Sequence, residues 1–399
     1  MHETPRGNRL HIAILGRTNA GKSSLINALT GQDAALVSPE PGTTTDPVYK
    51  AMELIPHGPA VFIDTAGLDD GSELGRARVQ RTMAVLPRAD LALLVVDATA
   101  GWSPWEDLIL AEVRRLGTAA IVAWNKIDLA PALPAEAPGV QNVFVSCLLG
   151  RGIDALREAI GRCAAAALDE RPLVADLLEP GQIVLLIVPV DAEAPRGRLI
   201  LPQVQTIREI LDAGALAAAC RDTELPQALA ALARPPRLAI TDSQAFAAAA
   251  AAVPASVPLT SFSILFARHK GDLAAYAAGA AALDRLADGD RILVAEACTH
   301  HTAGDDIARV KLPRWLRAHT GRDLVFDYAA GHDFPADLAG YRLIIQCGGC
   351  MANRREIISR IARAQTAGVP ITNYGVAIAK LHGILPRALA PLLPEAGES

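Results

Sequence analysis

Residues 10–25, "LHIAILGRTNAGKSSL", indicate the class of fold more clearly than any other segment. An apolar run typical of a strand is followed by "GRTNAGKS" (16–23), which fits G-x-x-x-x-G-K-S, and then by residues typical of a helix. In this context the glycines let backbone N–H groups turn inward around phosphates. Lys22 supplies charge to the β/γ oxygens, and Ser23 offers its hydroxyl to magnesium. A chance match in a glycine-bearing turn is the alternative, and the strand–loop–helix context argues against it.

Three further motifs specify a guanine nucleotide. In "DTAG" (64–67), Asp64 is expected to hold magnesium through water and Gly67 to sense the γ-phosphate through its N–H. In "NKID" (125–128), Asp128 can accept both N–H donors of guanine, whereas adenine would leave the carboxylate unpaired. "SCLLGRGID" (146–154) supplies the loop expected to back the base. The predicted nucleotide-binding residues are Gly16, Asn19, Ala20, Gly21, Lys22, Ser23, Ser24, Thr43, Thr44, Asp64, Thr65, Ala66, Gly67, Asn125, Lys126, Asp128, Ser146 and Cys147.

The glycine-rich segment together with "PGTTTD" (41–46) resembles the translation-factor-related GTPases typified by the tRNA-modification enzyme MnmE and the ribosome-assembly factor Era. The resemblance implies that Asn19 ligates a potassium ion between the phosphates, which acts as an arginine finger does. The alternative is that Asn19 only stabilises the turn. Leu68 follows DTAG where Ras-like enzymes carry a water-orienting glutamine, so we expect slow, potassium-stimulated hydrolysis.

The switch region supplies the remaining catalytic candidates. Thr43 and Thr44 are candidates for the mobile threonine that completes the magnesium shell. Glu73 is a candidate water-positioning carboxylate, with a solvated glutamate at a helix start as the alternative. The predicted catalytic residues are Lys22, Thr44, Gly67 and Glu73, and the predicted magnesium ligands are Ser23, Thr44 and Asp64.

The alternation of short apolar runs with helical patterns predicts an α/β protein of three domains. We expect a P-loop GTPase domain with a mostly parallel sheet over residues 1–170, followed by two smaller α/β domains over 171–262 and 263–399. The apolar runs "LLIV" (185–188) and "AFAAAAAAV" (245–253) could supply a dimer surface, and core burial explains them equally well.

Composition limits where the protein acts and what it binds. The net charge of −5 is spread along the 399 residues, which argues against a nucleic-acid-binding surface. No apolar run reaches the roughly 18 residues that a membrane span needs, and no signal peptide is evident. Six cysteines without a disulfide pattern suit a reducing compartment, so we expect a cytoplasmic protein.

Three cysteines follow predicted parallel strands near the C-terminus. Cys298 lies in "CTHH" after "RILVAEA", and Cys347 and Cys350 form "CGGC" after "YRLIIQ". The carboxyl ends of parallel strands share one edge of a sheet, so these residues could meet at one site. A structural zinc, an iron–sulfur cluster, a dithiol redox pair and buried thiols are all compatible with the residues. Cys147, Cys163 and Cys220 are isolated and are interpreted as core or incidental thiols.

Longer segments across the whole chain, among them "PLTSFSILFARHKGDL" (258–273), "GDRILVAEACTHH" (289–301) and "CGGCMANRREIISRI" (347–361), resemble the FeFe-hydrogenase maturation GTPases, the HydF family. The resemblance implies a central dimerisation domain and a C-terminal domain that holds a 4Fe–4S cluster. It further implies a transient two-iron precursor made by radical-SAM maturases and passed to apo FeFe-hydrogenase by a homodimer or a higher assembly.

The family pattern is C-x-H followed downstream by H-C-x-x-C. Cys298, His300, Cys347 and Cys350 match it and are the predicted cluster ligands, whereas Gln346 replaces the second histidine. An amide is a poor iron ligand, so the cluster is expected to rest on three cysteines with an open or exchangeable fourth position. Further candidates for that position are His301, Glu296 and His332, each of which has an ordinary surface or hydrogen-bonding role as its alternative. A regulatory GTPase of tRNA modification or ribosome assembly with a structural zinc is the alternative function.

Overall fold

The computed structural model describes residues 6–30, 48–54, 58–64, 83, 85–167, 171–190, 197, 199–297, 306–331 and 333–393 of the 399-residue chain. The chain divides into two compact units, residues 1–169 and residues 170–399. Each unit is described by itself below.

The first unit contains a six-stranded sheet. Its strands are β1 (Leu10–Leu15), β2 (Val48–Leu54), β3 (Gly58–Asp64), β4 (Leu91–Asp97), β5 (Ala119–Asn125) and β6 (Gln141–Phe144), in the spatial order β2-β3-β1-β4-β5-β6. All pairings are parallel except that of β2 with β3. Every residue of β1 is buried, as expected for a central parallel strand covered on both faces.

Helices cover both faces of this sheet. They are α1 (Lys22–Thr30), α2 (Pro104–Arg115) and α3 (Ile153–Ala167). Leu25 of α1 and Leu156 of α3 share one core, and Ile109 of α2 packs with Trp124 in the core on the other face. Ser103 caps α2, and proline stands at the first helical position, which its fixed φ suits. The loops that follow β1, β4 and β5 lie at the carboxyl ends of these strands, where open α/β sheets bind ligands.

The second unit contains two four-stranded parallel sheets. The first has the order β10-β9-β7-β8, with β7 (Ile183–Ile187), β8 (Leu216–Cys220), β9 (Leu238–Thr241) and β10 (Leu259–Ser261). The second has the order β12-β11-β13-β14, with β11 (Arg291–Ala295), β12 (Val325–Ala329), β13 (Leu343–Gln346) and β14 (Ile371–Asn373).

The helices of the second unit pack on these sheets around one core shared by both sheets and a smaller core on the other face of the first sheet. They are α4 (Leu201–Asp212), α5 (Leu225–Ala231), α6 (Phe246–Ala252), α7 (Phe262–Lys270), α8 (Leu273–Ala280), α9 (Leu312–Thr320), α10 (Arg354–Thr366), α11 (Tyr374–Leu381) and α12 (Leu385–Leu389). α7 joins the two sheets, because it follows β10 directly and packs on α4, α10 and α11. Gly279 lets α8 approach β14, since a Cβ there would lie 1.9 Å from the carbonyl oxygen of Ile371.

The predicted fold class is confirmed, since mostly parallel sheets wrapped by helices fill both units. The domain boundary between residues 262 and 263 stays a prediction; it falls at the start of α7. "LLIV" belongs largely to β7, which lies between β8 and β9 and is buried, so core burial accounts for it. An exposed apolar residue lies instead on the edge strand β8, where Leu216 is 54% exposed.

Candidate functional site

The phosphate-binding loop lies between β1 and α1, as the sequence predicts. The buried ammonium group of Lys22 donates hydrogen bonds to the carbonyl oxygens of Gly16 at 2.8 Å and Arg17 at 3.0 Å. Asn19 has a φ of 63°, a left-handed conformation that asparagine tolerates better than most residues, and its side chain is exposed. The loop is therefore folded around its own lysine, with Asn19 open to solvent above it.

Asn125 connects the phosphate-binding loop to the loop that follows β6. Its side chain is 2% exposed, donates to the carbonyl oxygen of Ala20 at 3.0 Å and accepts from the N–H of Cys147 at 3.2 Å. Gly21 is required beside it, because its φ is 93° and a Cβ would lie 2.2 Å from Asn125 Nδ2. The predicted phosphate and base motifs thus meet through this one amide.

The loop expected to back the base is fixed by its own hydrogen bonds. Ser146 is fully buried, and its Oγ accepts from the N–H of Leu149 at 3.1 Å. Burial, and to a smaller extent the charge of Asp128, raises the pKa of the half-buried Cys147 to about 11. Cys147 therefore remains a neutral thiol beside the carboxylate predicted to read guanine.

Two polar contacts at this site were not predicted from the sequence. Lys126 donates to Asp97 at 2.6 Å, and Asp97 also accepts from the N–H of Thr99. Burial alone would raise the pKa of Asp97, but the hydrogen bonds from Lys126 and Thr99 hold it below its ordinary value. Arg17 donates to the fully buried Glu106 at 2.8 Å, which joins the phosphate-binding loop to α2. The signal available in the sequence is "DATAG" (97–101), a turn directly after β4.

Several predicted site residues lie outside the described residues. They are Thr43, Thr44, Thr65, Ala66, Gly67, Leu68, Glu73, Cys298, His300, His301 and His332. Asp64 ends β3, and its backbone pairs with Val48 of β2. Ser23 and Ser24 lie in the first turn of α1, directly after the phosphate-binding loop.

The CGGC loop follows β13, next to the end of β11. β11 and β13 are parallel neighbours in which Ala295 pairs with Gln346. The N–H of Cys347 extends this pairing to the carbonyl oxygen of Ala295 at 2.9 Å. The N–H of Ala297 in turn lies 3.1 Å from Cys347 Sγ. The residue before Cys298 thus contacts the first cysteine of the loop, as the shared sheet edge led us to expect.

The two described cysteines of this site are free, half-buried thiols. Burial raises the pKa of Cys347 to about 11, while the N–H groups of Gly349 and Ala297 act in the opposite direction. Burial also raises the pKa of Cys350, opposed by the charge of Lys270. A dithiol redox pair reacts through a thiolate of lowered pKa, so these shifts argue against that interpretation. A bound metal deprotonates its thiol ligands and needs no such shift in the metal-free protein.

Lys270, the last residue of α7, lies beneath the CGGC loop. It is 2% exposed, and its Nζ donates to the carbonyl oxygens of Ala352 at 2.8 Å, Cys350 at 3.2 Å and Gly349 at 3.3 Å. This role was not predictable from the sequence, because "RHK" at a helix C-terminus is the usual pattern of a solvated, dipole-stabilising end.

Gln346 is held away from solvent by Tyr276 of α8. Gln346 is fully buried, and its Nε2 donates to the Tyr276 hydroxyl at 3.1 Å. Its Oε1 has no hydrogen-bond partner among the described residues. Burial raises the pKa of Tyr276, which keeps that hydroxyl neutral. The side chain at the family's histidine position therefore makes a structural hydrogen bond.

The thiols, the N–H···S contact and the buried ammonium fit an anionic metal–sulfur centre. Within the described ranges, however, no group of three or more His, Cys, Asp or Glu side chains could hold a metal ion. Two of the four predicted ligands, Cys298 and His300, lie outside the described residues. No helix in the described part of the chain is long and apolar enough to cross a membrane.

Three family models match the chain in succession. Residues 11–126 match the 50S ribosome-binding GTPase, residues 173–271 the hydrogen maturase F dimerization domain and residues 274–391 the hydrogen maturase F tetramerization domain. The first match covers the predicted phosphate and base motifs up to Lys126. The third covers Lys270's neighbours on the CGGC loop and both strands that precede the cysteines.

Curated GTPases match part of the chain. The tRNA modification GTPase MnmE of Synechococcus sp. is 41% identical over 157 residues, which are 37% of this chain and 32% of that protein. The GTPase Der of Thermotoga neapolitana is 42% identical over 125 residues, 30% of this chain and 28% of that protein. The chain thus spans about a third of the length of these relatives.

Among solved structures, the G domain of the T. maritima FeoB iron transporter is 27% identical, covering 39% of this chain and 99% of that chain with a TM-score of 0.31. Era of Aquifex aeolicus bound to GDP and aluminium fluoride is 22% identical, covering 55% of this chain and 97% of that chain with a TM-score of 0.32. The family of this chain is shown by the three family models and not by these structures. Because a GTPase segment is followed by both hydrogen maturase F domains, the chain belongs to the hydrogen maturase F (HydF) family.

Proposed function

We propose that this protein is a GTP-hydrolysing scaffold that binds a 4Fe–4S cluster and delivers a two-iron precursor to apo FeFe-hydrogenase. The observation that carries the proposal is the 3.1 Å contact between the N–H of Ala297 and Cys347 Sγ. It brings the chain next to Cys298 against the CGGC loop, although the two segments are far apart in sequence. The family membership supports the same conclusion.

The nucleotide site would bind GTP with Mg²⁺ and hydrolyse it. Lys22, now bonded to two carbonyl oxygens of its own loop, would turn to the β/γ-phosphates, and Ser23 would ligate Mg²⁺ with Thr44 and Asp64. Asp128 would select guanine. The exposed Asn19 would ligate K⁺, and hydrolysis would be slow without it. GTP would act as a switch on conformation or partner release.

The metal site would use the thiolates of Cys298, Cys347 and Cys350, with His300 as a further candidate ligand. When bound, the cluster would supply a one-electron centre with an iron position open to the cargo. The amide of Gln346 is engaged by Tyr276 and would leave that fourth position labile. Glu296, another candidate for the fourth position, is buried, and its Oε2 lies 3.8 Å from Nη2 of Arg309. A labile position suits a carrier that must bind and release a second iron unit.

The protein would assemble at least as a homodimer in the cytoplasm. β8 is an edge strand, and its residue Leu216 is 54% exposed. Leu211 of α4, the helix that precedes β8, is also 54% exposed. Such an edge is a template for pairing with a second copy. The names of the two matched domains support assembly.

Further partners would be the radical-SAM maturases and the apo-hydrogenase, with no nucleic acid. Functional domains would then extend over 1–170, 171–262 and 263–399.

The first test is metal analysis of anaerobically purified protein. We expect about four irons and four sulfides per chain and an EPR signal in the dithionite-reduced protein that is lost in Cys298→Ala. Cys220→Ala, an isolated thiol in β8, is the matched control and should keep the signal. One tightly held zinc and no iron after reconstitution would overturn the proposal and favour a zinc-stabilised regulatory GTPase.

The potassium requirement is tested by hydrolysis rates in KCl and NaCl at equal ionic strength. We expect a clear stimulation by K⁺ in the wild type that is lost in Asn19→Ala. A Gly replacement, which keeps the left-handed backbone at no strain, separates the ligand role from the turn role. Equal rates in both salts would exclude the ion, and full stimulation in Asn19→Gly would exclude the asparagine as its ligand.

A further inference from the structure

Lys270 is a buried ammonium group without a carboxylate partner. Across the ranges that the structure describes, it forms no salt bridge, and its donors go to three backbone carbonyl oxygens. A buried lysine is costly unless it is paired, so an unpaired one requires a physical reason. Two of these oxygens belong to Gly349 and Cys350, so the ammonium lies against the backbone of the loop that carries the two thiols.

Arg360, the other buried cation near Cys347, shows the usual arrangement. Its guanidinium lies 2.7 Å from Glu356 Oε1 and also donates to the carbonyl oxygen of Gly331 at 2.5 Å. That charge is compensated within α10 itself. Lys270 differs because its partners are carbonyl oxygens of the cysteine loop and the ring of Phe266, whose centroid lies 5.6 Å from Nζ.

We propose that Lys270 is the positioning residue and counter-charge of the CGGC loop. Its ammonium holds the carbonyl groups of Gly349, Cys350 and Ala352 in place and offsets the negative charge of the cysteine thiolates when a metal centre is bound. The inference rests on the proposed cluster and deepens it by naming what stabilises its thiolates.

Two separate effects follow from this placement. The N–H of Ala352 bonds to the carbonyl oxygen of Gly349, the same oxygen that Lys270 contacts, so loss of Lys270 loosens this turn even without metal. Loss of the positive charge also disfavours the reduced centre more than the oxidised one, because reduction by dithionite adds one electron and one negative charge. The reduction potential therefore becomes more negative.

The test compares Lys270→Met, which keeps the length of the side chain but removes its charge and donors, with the wild type. Lys380→Met is the matched control, since Lys380 lies in the same unit and pairs with Asp284 at 2.7 Å. In metal-free protein, the amides of residues 347–353 should exchange at least about tenfold faster in Lys270→Met. In reconstituted protein, the midpoint potential should be more negative, and iron loss to a chelator roughly 10–100-fold faster.

The outcomes separate this inference from the proposed function. An unchanged potential and unchanged exchange in Lys270→Met, with a wild type that carries the cluster, overturn the inference alone. A wild type that takes up no iron overturns the proposed function and the counter-charge role with it. If Lys270→Met does not fold, Lys270→Gln, which keeps a neutral hydrogen-bond donor, replaces it. A reduction potential equal to that of the wild type in Lys270→Gln would exclude the counter-charge role. A merely structural role would change exchange but not the potential.

Discussion

Asn125→Ala tests whether one buried amide assembles the nucleotide site. The substitution removes two hydrogen bonds, to Ala20 at 3.0 Å and from Cys147 at 3.2 Å, in a place that is 2% exposed. Each backbone group left unsatisfied in the interior costs about 1–3 kcal/mol, part of which water entering the new space recovers. We therefore expect the arrangement of the two loops that binds the nucleotide to be destabilised by about 2 kcal/mol. This free energy corresponds to a loss of nucleotide affinity of about thirtyfold.

The assay is a fluorescence titration with a labelled guanine nucleotide, alongside thermal unfolding. Asn142→Ala is the matched control, because Asn142 makes four hydrogen bonds that hold residues 137 and 140 and the indole of Trp124. We expect it to lower the thermal stability and leave the affinity unchanged. A wild-type affinity in Asn125→Ala, or an equal loss of affinity in both variants, would show that the Asn125 amide does not hold the two loops in their binding arrangement.

Three further predictions follow from single contacts. Tyr276→Phe leaves Gln346 Nε2 buried without its acceptor and should destabilise the second unit by about 1–3 kcal/mol, measured by urea unfolding; no change would show that the bond is dispensable. Leu216→Lys places a charge on the β8 edge and should shift the sedimentation coefficient towards the monomer, whereas an intact dimer would place the interface elsewhere. Because the folded pKa of Asp97 is lowered, its contribution to stability is complete above its unfolded pKa and is lost as the pH falls through the folded value. Acid unfolding of Asp97→Asn should therefore depend less on pH below about 4, and an unchanged acid profile would show that the Asp97–Lys126 pair adds no stability.

The nucleotide site was largely predictable, because its residues follow strands at fixed spacings. A strand, a glycine-rich turn and a helix are local features, and "NKID" directly follows β5. The antiparallel edge strand β2 was less accessible to the sequence, since pairing direction depends on which strand becomes the neighbour. The tie from Lys126 to Asp97 was missed for a similar reason: it joins the ends of two strands and leaves no periodic signal.

The cysteine site shows the same limit more strongly. The sequence identified Gln346 as the departure from the family pattern but could not show that Tyr276, on a helix that precedes β11, receives its hydrogen bond. Lys270 is a basic residue at a helix end, where charge and position alone favour solvent exposure. Its burial depends on how α7 packs against the loop before α10, which only the tertiary structure determines.

α7 connects the first sheet of the second unit to the CGGC loop. Its first turn is capped by Ser261 at the end of β10, and its last residue holds the CGGC loop. Nine helical residues make a stiff rod about 13 Å long. A shift of the first sheet when copies associate would be carried along this rod to the thiols. If association of the subunits changes the metal affinity by some factor, metal binding changes the association constant of the subunits by that same factor, because the coupling between two binding equilibria is reciprocal. For the metal site proposed above, the assembly state would thus report whether that site is occupied.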